Sequence, residues 1–327
     1  MKFKFDIEYS GSLPVLQWNR TGITIAGATG QPGNVSNRLN HPFGLYIDWS
    51  NALYIADHFN NRIQKYLKDA TFGETVAGDA TAIPGSTSKF LDHPSHIVVD
   101  LYENIYVSDR YNTRVQLWKK DALNGSTIAG ITGLTGNASD RFQYPYGITH
   151  DLVNNVIYVA DYGNDRVMSY RVGIKNGTIV AGGNGRGMNA IQLRAPMGIR
   201  FDKISNSILI ANHLANNVVR WKLGDFNWSL VAGDLNGATS GASNMLCSPA
   251  DVVLDPMNNM YVVDLSNARV QLFLDNASNG STIAGITGTT GSNASLFNWP
   301  ISVALDSQLN LYVSDYLNER VQKFLRY

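Results

Sequence analysis

The histidines are the side chains of this sequence best suited to chemistry. His41, His93 and His96 flank prolines, whereas His58 and His213 follow apolar runs that end in Asp or Asn. Imidazole is a common zinc ligand and general base, and the abundant Asp and Asn could supply calcium ligands. A metal centre or an acid–base site is therefore the first hypothesis, and it depends on the elements that hold these residues.

Those elements repeat with a period of about 52 residues. Prolines recur with spacings of 52, 51, 51, 53 and 51 at Pro42, Pro94, Pro145, Pro196, Pro249 and Pro300. A β-branched residue followed by Ala-Gly recurs with the glycine at Gly27, Gly78, Gly130, Gly182, Gly233 and Gly285. So regular a period predicts one supersecondary unit copied around or along an axis.

Each unit reads as four short strands. In the second unit we predict strands at His96–Asp100, Ile105–Asp109, Arg114–Trp118 and Ser126–Gly130, because these runs are β-branched or aromatic and end at turn residues. Four strands in six units predict an all-β, six-bladed β-propeller with antiparallel blades. The last unit lacks a fourth strand, so residues 23–27 are expected to complete the sixth blade and close the ring.

The domain organisation follows from the repeat. Residues 13–327 are predicted to form a single propeller, with blades starting near residues 41, 93, 144, 195, 248 and 299. Residues 1–12 match no blade and are read as a leader or linker. No apolar stretch approaches 18 residues, and the first residues lack a signal-peptide core, so neither a membrane span nor a signal peptide is predicted. A monomer is expected.

Two charged patterns recur with a structural reason. An Asp that can accept hydrogen bonds from turn amides closes the first strand at Asp48, Asp100, Asp151, Asp202, Asp255 and Asp306. An Asp and an Arg lie five residues apart in five units, at Asp57/Arg62, Asp109/Arg114, Asp161/Arg166, Asp264/Arg269 and Asp315/Arg320. The fourth unit replaces both charges, with Asn212 and Asn217. Joint loss predicts that the two side chains pair, because a buried charge without its partner is costly.

The repeat resembles a known family. The pattern Asn40-His-Pro-Phe-Gly-Leu45, Leu53-Tyr-Ile-Ala-Asp57 and Asn60-Asn-Arg-Ile-Gln64 is similar to the NHL repeat. The resemblance runs from about residue 20 to 327; the fourth copy is degenerate and the fifth lacks the glycine after proline. Proteins with similar propellers include peptidyl-hydroxyglycine amidating lyases, RNA-binding domains of tripartite-motif proteins, extracellular sensor domains and adhesion modules.

The resemblance bears on the metal hypothesis. The amidating lyases bind zinc through histidines that directly follow the prolines, but here those positions hold Phe43, Ser95, Tyr146, Met197, Ala250 and Ile301. His96 lies one residue further along, and in an extended strand it should point the other way. His41 and His93 are expected to be loop residues, and His58 and His213 lie on opposite blades. The zinc set of the lyases is therefore not carried over.

The resemblance also indicates where a ligand would bind. In propellers the loops that lead into the first strands share one face with the loops that join second to third strands; we name this the proline-loop face. Candidate binding residues there are Phe43, His58, Phe59, Arg110, Tyr111, Tyr146, Tyr162, His213, Trp299 and Tyr316. Tyr, Trp and Arg are the residues most often found at binding hot spots. No catalytic residue is predicted.

We favour a non-catalytic binding module that takes a protein, peptide or glycan and needs no cofactor. The alternative is a metal-dependent lyase or lactonase-like enzyme with zinc or calcium at the central channel. RNA binding ranks third, because the formal net charge is zero whereas nucleic-acid-binding domains are usually basic.

The cysteine count and the glycosylation signals address location. Cys247 is the only cysteine, so an intrachain disulfide is excluded. Nine Asn-x-Ser/Thr sequons occur, at Asn19, Asn34, Asn124, Asn137, Asn176, Asn227, Asn276, Asn279 and Asn293. Three of them are Asn-Gly pairs, which also favour tight hairpin turns. We expect an extracellular or luminal glycoprotein.

Overall fold

The computed structural model describes residues 16–327. The predicted leader or linker over residues 1–12 lies outside this range. Within it, 24 strands form six four-stranded antiparallel sheets. The all-β, six-bladed propeller predicted from the repeat is thereby confirmed. Among the described residues, no helix is long and apolar enough to cross a membrane.

The strands follow one another around the ring. In the first half of the chain they are β1 (Ile23–Gly27), β2 (Pro42–Ile47), β3 (Leu53–Asp57), β4 (Arg62–Tyr66), β5 (Glu74–Gly78), β6 (Pro94–Val99), β7 (Ile105–Asp109), β8 (Arg114–Trp118), β9 (Ser126–Gly130), β10 (Pro145–Asp151), β11 (Val156–Asp161), β12 (Arg166–Arg171) and β13 (Thr178–Gly182). In the second half they are β14 (Pro196–Asp202), β15 (Ser207–Asn212), β16 (Asn217–Lys222), β17 (Trp228–Gly233), β18 (Pro249–Leu254), β19 (Met260–Asp264), β20 (Arg269–Phe273), β21 (Ser281–Gly285), β22 (Pro300–Leu305), β23 (Leu311–Asp315) and β24 (Arg320–Phe324).

Single-turn 3-10 helices join second to third strands in five blades, at His58–Asn60, Tyr162–Asn164, His213–Ala215, Leu265–Asn267 and Tyr316–Asn318. The second blade has a turn there instead. In that blade the predicted strands match the observed ones except for the first, which begins at Pro94 and ends at Val99.

The ring closes through its first strand. The sixth sheet has the order β1-β24-β23-β22, and Thr24 pairs with Gln322. The first strand of every blade is the innermost, and each packs against the first strands of its neighbours around the ring. Closure leaves no blade as an open end of the array.

The glycine of the repeated Ala-Gly is required by close backbone contact. Gly130 has φ +81°, and a Cβ atom there would lie 2.4 Å from the carbonyl oxygen of Thr113. Gly285 repeats this with φ +82° and 2.3 Å to the carbonyl oxygen of Ala268. A side chain at this position would force the fourth strand away from the third.

The core lies between blades, so both faces of each sheet are buried. Tyr106 and Val115 of the second blade cluster with Ile157, Val159 and Tyr170 of the third. This arrangement explains why the strands carry apolar residues on consecutive positions rather than alternate ones.

The recurrent Asp at the end of the first strand caps the following turn. Asp100 accepts hydrogen bonds on Oδ1 from the amides of Tyr102 and Asn104, both at 2.9 Å. Its Oδ2 accepts from the hydroxyl of Tyr106. The Asx-turn role predicted from the sequence is the one observed.

The Asp–Arg pairs form in all five blades that carry them. In the second blade Asp109 Oδ2 accepts hydrogen bonds from Arg114 Nε at 2.7 Å and from Asn112 Nδ2 at 2.9 Å. Both charged side chains are almost fully buried. The remaining guanidinium donors bind carbonyl oxygens of the loop before the blade, including those of Ser86 and Phe90. Each pair therefore fastens an inter-blade loop to the sheet.

The fourth blade shows how the pair can be lost. Asn212 Oδ1 still accepts a 2.7 Å hydrogen bond from the amide of Arg194, as the Asp residues do in the other blades. Ala215 stands where those blades carry the third partner, Asn. The loop is held instead by Trp228, whose Nε1 donates to the carbonyl oxygen of Gln192 at 2.8 Å.

In the second blade, removing one member of the Asp–Arg pair should destabilise the protein more than replacing both members together. Arg114→Met leaves Asp109 buried without its partner, so we expect a loss of about 3–5 kcal/mol in the free energy of unfolding. The triple variant Asp109→Asn, Asn112→Ala, Arg114→Asn imports the fourth blade's residues and should lose clearly less. Denaturant unfolding followed by tryptophan fluorescence measures both. Equal losses in the two variants would show that pairing does not explain the joint replacement.

Candidate functional site

Two hydrogen bonds bring the two loops of each blade together on the proline-loop face. In the first blade the amide of Phe59 donates to the carbonyl oxygen of Asn40 at 3.0 Å, and the amide of Asn40 donates to Asp57 Oδ1 at 2.7 Å. Every other blade has the same pair of bonds. The loops are thus fixed to the end of the second strand, whatever their side chains are.

The residue before each proline adopts a left-handed conformation. Its φ lies between 52° and 57° in all six blades, at His41, His93, Tyr144, Ala195, Ser248 and Trp299. Non-glycine residues pay a conformational cost there, which is larger for bulky side chains. Ala195 and Ser248 show that the fold requires no aromatic ring at this position.

Six rings form a continuous arc across four blades. From the sixth blade to the third they are Tyr316, His41, Phe59, His93, Tyr111 and Tyr144, and we name this set the aromatic arc. Successive ring centroids lie 4.6, 4.5, 5.1, 4.3 and 6.2 Å apart. The exposed fraction is 42% for Phe59, 46% for Tyr111 and 41% for Tyr144, so the arc presents its rings to solvent.

Three of the predicted binding residues lie below this surface. Phe43, His58 and Tyr146 are buried, with Phe43 5.0 Å from His58 and 5.6 Å from Tyr146 between ring centroids. They are buried because the innermost strands approach closely enough for their side chains to pack together. They form the floor on which the arc rests.

The other predicted residues lie at the edges of the arc. Tyr162 is half-buried and contacts Tyr146, with ring centroids 4.7 Å apart. His213 is also half-buried and lies 6.3 Å from Tyr162. Trp299 is 52% exposed on the sixth blade. Sequence reasoning overlooked Tyr144 and treated His41 and His93 as ordinary loop residues; their place directly before proline was the available signal.

His58 is held neutral inside the floor. Burial lowers its pKa to about 3, and the positive charge of Arg110 acts in the same direction. Its Nδ1 lies 2.9 Å from the carbonyl oxygen of Pro94. A carbonyl oxygen only accepts, so the neutral ring carries its proton on Nδ1. His58 is therefore a fixed hydrogen-bond donor to the frame and has no free proton to exchange near neutral pH.

The two histidines of the arc have acidic neighbours. His41 Nδ1 lies 3.2 Å from Glu319 Oε1, and burial lowers the pKa of His41. His93 Nδ1 lies 2.6 Å from Asp92 Oδ1. Carboxylates thus accompany the rings on this surface, and they offer hydrogen-bond acceptors between aromatic faces.

The six blades differ sharply in what they present. At the position of Phe59, two residues after the end of the second strand, blades one to six carry Phe59, Tyr111, Gly163, Leu214, Ser266 and Leu317. Before the prolines, the fourth and fifth blades carry Ala195 and Ser248. All six blades keep the hydrogen bond between the two loops and the left-handed residue before proline, so the aromatic side chains of the other four blades are not needed to form the loops.

The channel contains polar residues that the sequence did not reveal. A register shift between Pro94 and His96 turns the latter into the channel, contrary to the expectation that it points away. His96 Nε2 lies 3.7 Å from Asp251 Oδ2, and that oxygen also accepts a 2.6 Å hydrogen bond from the hydroxyl of Ser302. His96, Asp251 and Ser302 link three blades across the axis.

A metal centre finds no support in this arrangement. Within residues 16–327 there is no group of three or more His, Cys, Asp or Glu side chains that could hold an ion. Five of the six residues directly after the prolines are apolar or aromatic, and the sixth, Ser95, donates its hydroxyl to the carbonyl oxygen of Pro145. The residues present therefore do not fit the zinc site implied by the resemblance to the lyases.

The nine sequon asparagines are all exposed. Asn124, Asn176, Asn227, Asn276 and Asn279 lie between third and fourth strands, on the face opposite the aromatic arc. These five positions leave the arc uncovered, whereas Asn34, Asn137 and Asn293 lie in loops that lead into first strands.

Sequence comparison identifies the repeat. The family model described as NHL repeat matches residues 297–324. The human NHL repeat-containing protein 2 is 28% identical over 166 residues, which cover 41% of this chain and 22% of that protein. A probable peptidyl-alpha-hydroxyglycine alpha-amidating lyase of Caenorhabditis elegans is 28% identical over 139 residues, covering 42% of this chain and 38% of the lyase. The chain thus spans well under half the length of these relatives.

Solved structures share the fold at low identity. A Bacteroides thetaiotaomicron protein of unknown function superposes with a TM-score of 0.75 and 15% identity, covering 94% of this chain and 76% of that one. An auxiliary nutrient binding protein of the same species gives 0.70 and 15%, covering 95% and 77%. A Xanthomonas campestris gluconolactonase gives 0.62 and 11%, covering 95% and 100%.

The neutral state of His58 predicts how stability depends on pH. Below its ordinary pKa of 6.5, the unfolded chain binds a proton that the folded chain refuses until about pH 3. As the pH is lowered below 6.5, the free energy of unfolding should therefore decrease by up to about 1.4 kcal/mol per pH unit, or by about 2 kcal/mol between pH 6.5 and 5.0. His58→Asn retains a donor towards Pro94 and should remove this part of the slope.

Denaturant unfolding of both proteins at pH 7.5, 6.0 and 5.0 measures the slope. NMR of the imidazole nitrogens should independently show His58 neutral and protonated on Nδ1 throughout. An imidazolium signal from His58 at pH 5.0, or identical slopes for the two proteins, would refute the assignment.

Proposed function

This chain is a six-bladed β-propeller of NHL repeats, and on that premise we propose that it is a non-catalytic binding module that recognises glycans through the aromatic arc. The observation that carries the proposal is the difference between equivalent blades. Aromatic rings occupy four blades at positions where the fourth and fifth blades fold in the same way with Ala, Ser or Leu, apart from His213, which is equivalent to Tyr316. Rings that folding does not require, and that are exposed at a conformational cost, need another reason.

The shape of the surface favours an extended ligand over a small molecule. Directly beneath the arc, the cavity lined by Phe43 and Tyr146 measures about 10 Å³. A larger cavity of about 290 Å³ among the innermost strands extends to Asp48 and Asp306, at the strand ends on the opposite face. Sites for small ligands are typically clefts of several hundred Å³. The arc therefore offers a platform rather than a pocket, and an oligomeric ligand suits a platform.

The chemistry of the surface favours sugars among extended ligands. Exposed rings such as Phe59 and Tyr111 give flat faces for stacking, and Asp92 and Glu319 lie beside ring-bearing histidines as acceptors for hydroxyl groups. Protein interfaces of standard size bury about 800 Å² on each partner around an apolar centre. Here the centre of the face is a floor of rings that are already buried in the free protein. A protein or peptide partner is the alternative outcome of the same test.

The comparisons support a binding role without defining the ligand. The Bacteroides thetaiotaomicron protein with a TM-score of 0.70 is an auxiliary nutrient binding protein. The enzymes among the neighbours share the fold at 11–12% identity. Because one fold serves many functions, the residues of the arc carry the proposal.

The proposal is tested by substitutions taken from the protein itself. Phe59→Ser, Tyr111→Ser and Tyr144→Ser each install the residue that the fifth blade has at the same position, Ser266 or Ser248. The triple variant should keep its fold and lose binding by about tenfold to a hundredfold on a glycan array, because aromatic anchors dominate such contacts.

The matched control removes three exposed aromatic residues elsewhere. Trp49, Tyr102 and Phe226 are 70%, 79% and 89% exposed and lie on the opposite face, so their replacement by Ser should leave binding intact. Equal binding by wild type and the arc variant would refute the arc as the site. A protein ligand that is lost in the arc variant, with no glycan bound, would refute the ligand class alone.

We further propose an extracellular or luminal location, supported by nine exposed sequons, five of which lie on the face opposite the arc. Expression in a eukaryotic secretory host should give a mass that falls by several glycans on treatment with an N-glycosidase. The Asn124→Gln, Asn176→Gln, Asn279→Gln variant should show a correspondingly smaller fall. No change in mass on treatment would remove the support for this location.

A further inference from the structure

Arg110 differs from the residues at its five equivalent positions. These hold His58, Tyr162, His213, Leu265 and Tyr316, and Arg110 alone among the six has a permanently charged side chain. The turn that carries it replaces the 3-10 helix of the other blades. Its charge is therefore not part of the repeat, and the fold tolerates Tyr, His or Leu in its place.

Three tyrosine rings hold the Arg110 guanidinium. Its central carbon lies 4.5 Å from the ring centroid of Tyr146, 5.1 Å from that of Tyr111 and 5.4 Å from that of Tyr144. Tyr111 and Tyr144 belong to the arc, and Tyr146 belongs to its floor. Cation–π contacts of this kind restrict the side chain, so little entropy is left to lose when a ligand binds.

The donors of this guanidinium are unused. Arg110 Nε is buried and has no hydrogen-bond partner within residues 16–327. No carboxylate in that range lies within 4.0 Å of it to form an ion pair. The contrast with Arg114, four residues later, is direct: there the guanidinium binds one carboxylate and three carbonyl oxygens. An Arg with free donors is prepared to bind something outside the chain.

The acidic side chains beside the arc contact histidines and form no ion pair with Arg110. The positive charge of Arg110 is nevertheless felt on this surface: burial raises the pKa of Tyr316 to about 12, and Arg110 opposes that rise. The neighbouring acids are already engaged, Glu319 with His41 and Asp92 with His93. Arg110 therefore lies among the stacking rings without an ion-pair partner of its own within residues 16–327.

We propose that Arg110 binds the carboxylate of an acidic sugar, so that the preferred ligand is a uronate-containing glycan. The inference rests on the glycan-binding function proposed above. A carboxylate accepts two parallel hydrogen bonds from a guanidinium, and a hexuronate places this group beside a ring that can stack on Tyr111 or Tyr144. A free anion would lack those stacking contacts, and a neutral sugar would leave the guanidinium without an ion-pair partner.

The test uses uronate oligosaccharides and a chemically matched neutral form. Oligogalacturonides, their methyl esters, and oligomers of glucuronate and mannuronate are titrated into the wild type by calorimetry. We expect binding of at least one free acid, affinity that falls as salt is added, and at least about tenfold weaker binding of the matching methyl ester. Dextran sulfate against dextran separates carboxylate from sulfate as the preferred anion.

Three variants locate the effect. Arg110→Leu, which copies Leu265, should lose about tenfold to a hundredfold in affinity for the free acid and leave binding of the ester unchanged. Arg110→Lys keeps the positive charge but loses the planar guanidinium that forms two parallel hydrogen bonds. Its affinity for the free acid should lie between those of the wild type and Arg110→Leu. Arg194→Leu, on the fourth blade's loop, should leave binding unchanged. Thermal midpoints within about 2 °C of wild type confirm that the variants fold.

The failures of the two proposals are distinguishable. If acid and ester bind equally and the arc variant weakens both, the carboxylate site is refuted and glycan binding stands. Preference for dextran sulfate over every uronate likewise refutes the carboxylate. If no glycan of either kind binds, both proposals are overturned.

Discussion

The structure depends on a buried carboxylate whose two oxygens accept hydrogen bonds from different parts of the blade. In five blades the Asp that ends the second strand uses Oδ1 to hold the loop before the first strand, and Oδ2 to hold the Asn and Arg that follow it, as Asp57 does with Asn40, Asn60 and Arg62. The Arg then fastens the inter-blade loop through carbonyl oxygens. In each of these five blades, one ionised Asp thus connects the sheet to the loop between blades and to the proline-loop face. Such a pair imposes geometry, because neither charge can leave the other when both are buried.

This frame separates the shape of the face from its chemistry. The backbone bonds that join the two loops occur in every blade, including the fourth, where Asn212 keeps only the first of the two roles. The side chains carried by the loops are therefore free to vary from Tyr144 to Ser248 without changing the path of the chain. Blades one, two, three and six carry the rings of the arc, and the fourth and fifth carry none of them. A rigid support with variable positions is what a recognition surface requires, since ordered rings lose little entropy on binding.

The sequence predicted the parts of this molecule that are local and repeated. Blade number, strand type, ring closure by residues 23–27 and the Asp–Arg pairs all follow from a pattern that six copies display. The Asn that also binds each paired Asp, such as Asn60 beside Asp57 and Arg62, was not predicted. The signal was available, because Ala215 replaces this Asn in the fourth blade, which also lacks both charges. The burial of side chains near the axis could not be predicted from the sequence. Phe43 and Tyr146 are buried because the innermost strands of different blades converge, and the sequence of one strand does not show this. His96 was misplaced because a register shift after Pro94 breaks the alternation on which its orientation was judged.

The frame presents a preformed aromatic platform on blades six to three, and a crystal structure of the protein with its best-binding oligosaccharide would test this directly. We expect sugar rings stacked on Phe59, Tyr111 or Tyr144, with the backbone of the loops within about 1 Å of its position in the free protein. A ligand bound in the channel around His96 and Asp251, on the fourth and fifth blades, or on loops that have rearranged to receive it, would show that the platform is not the binding site.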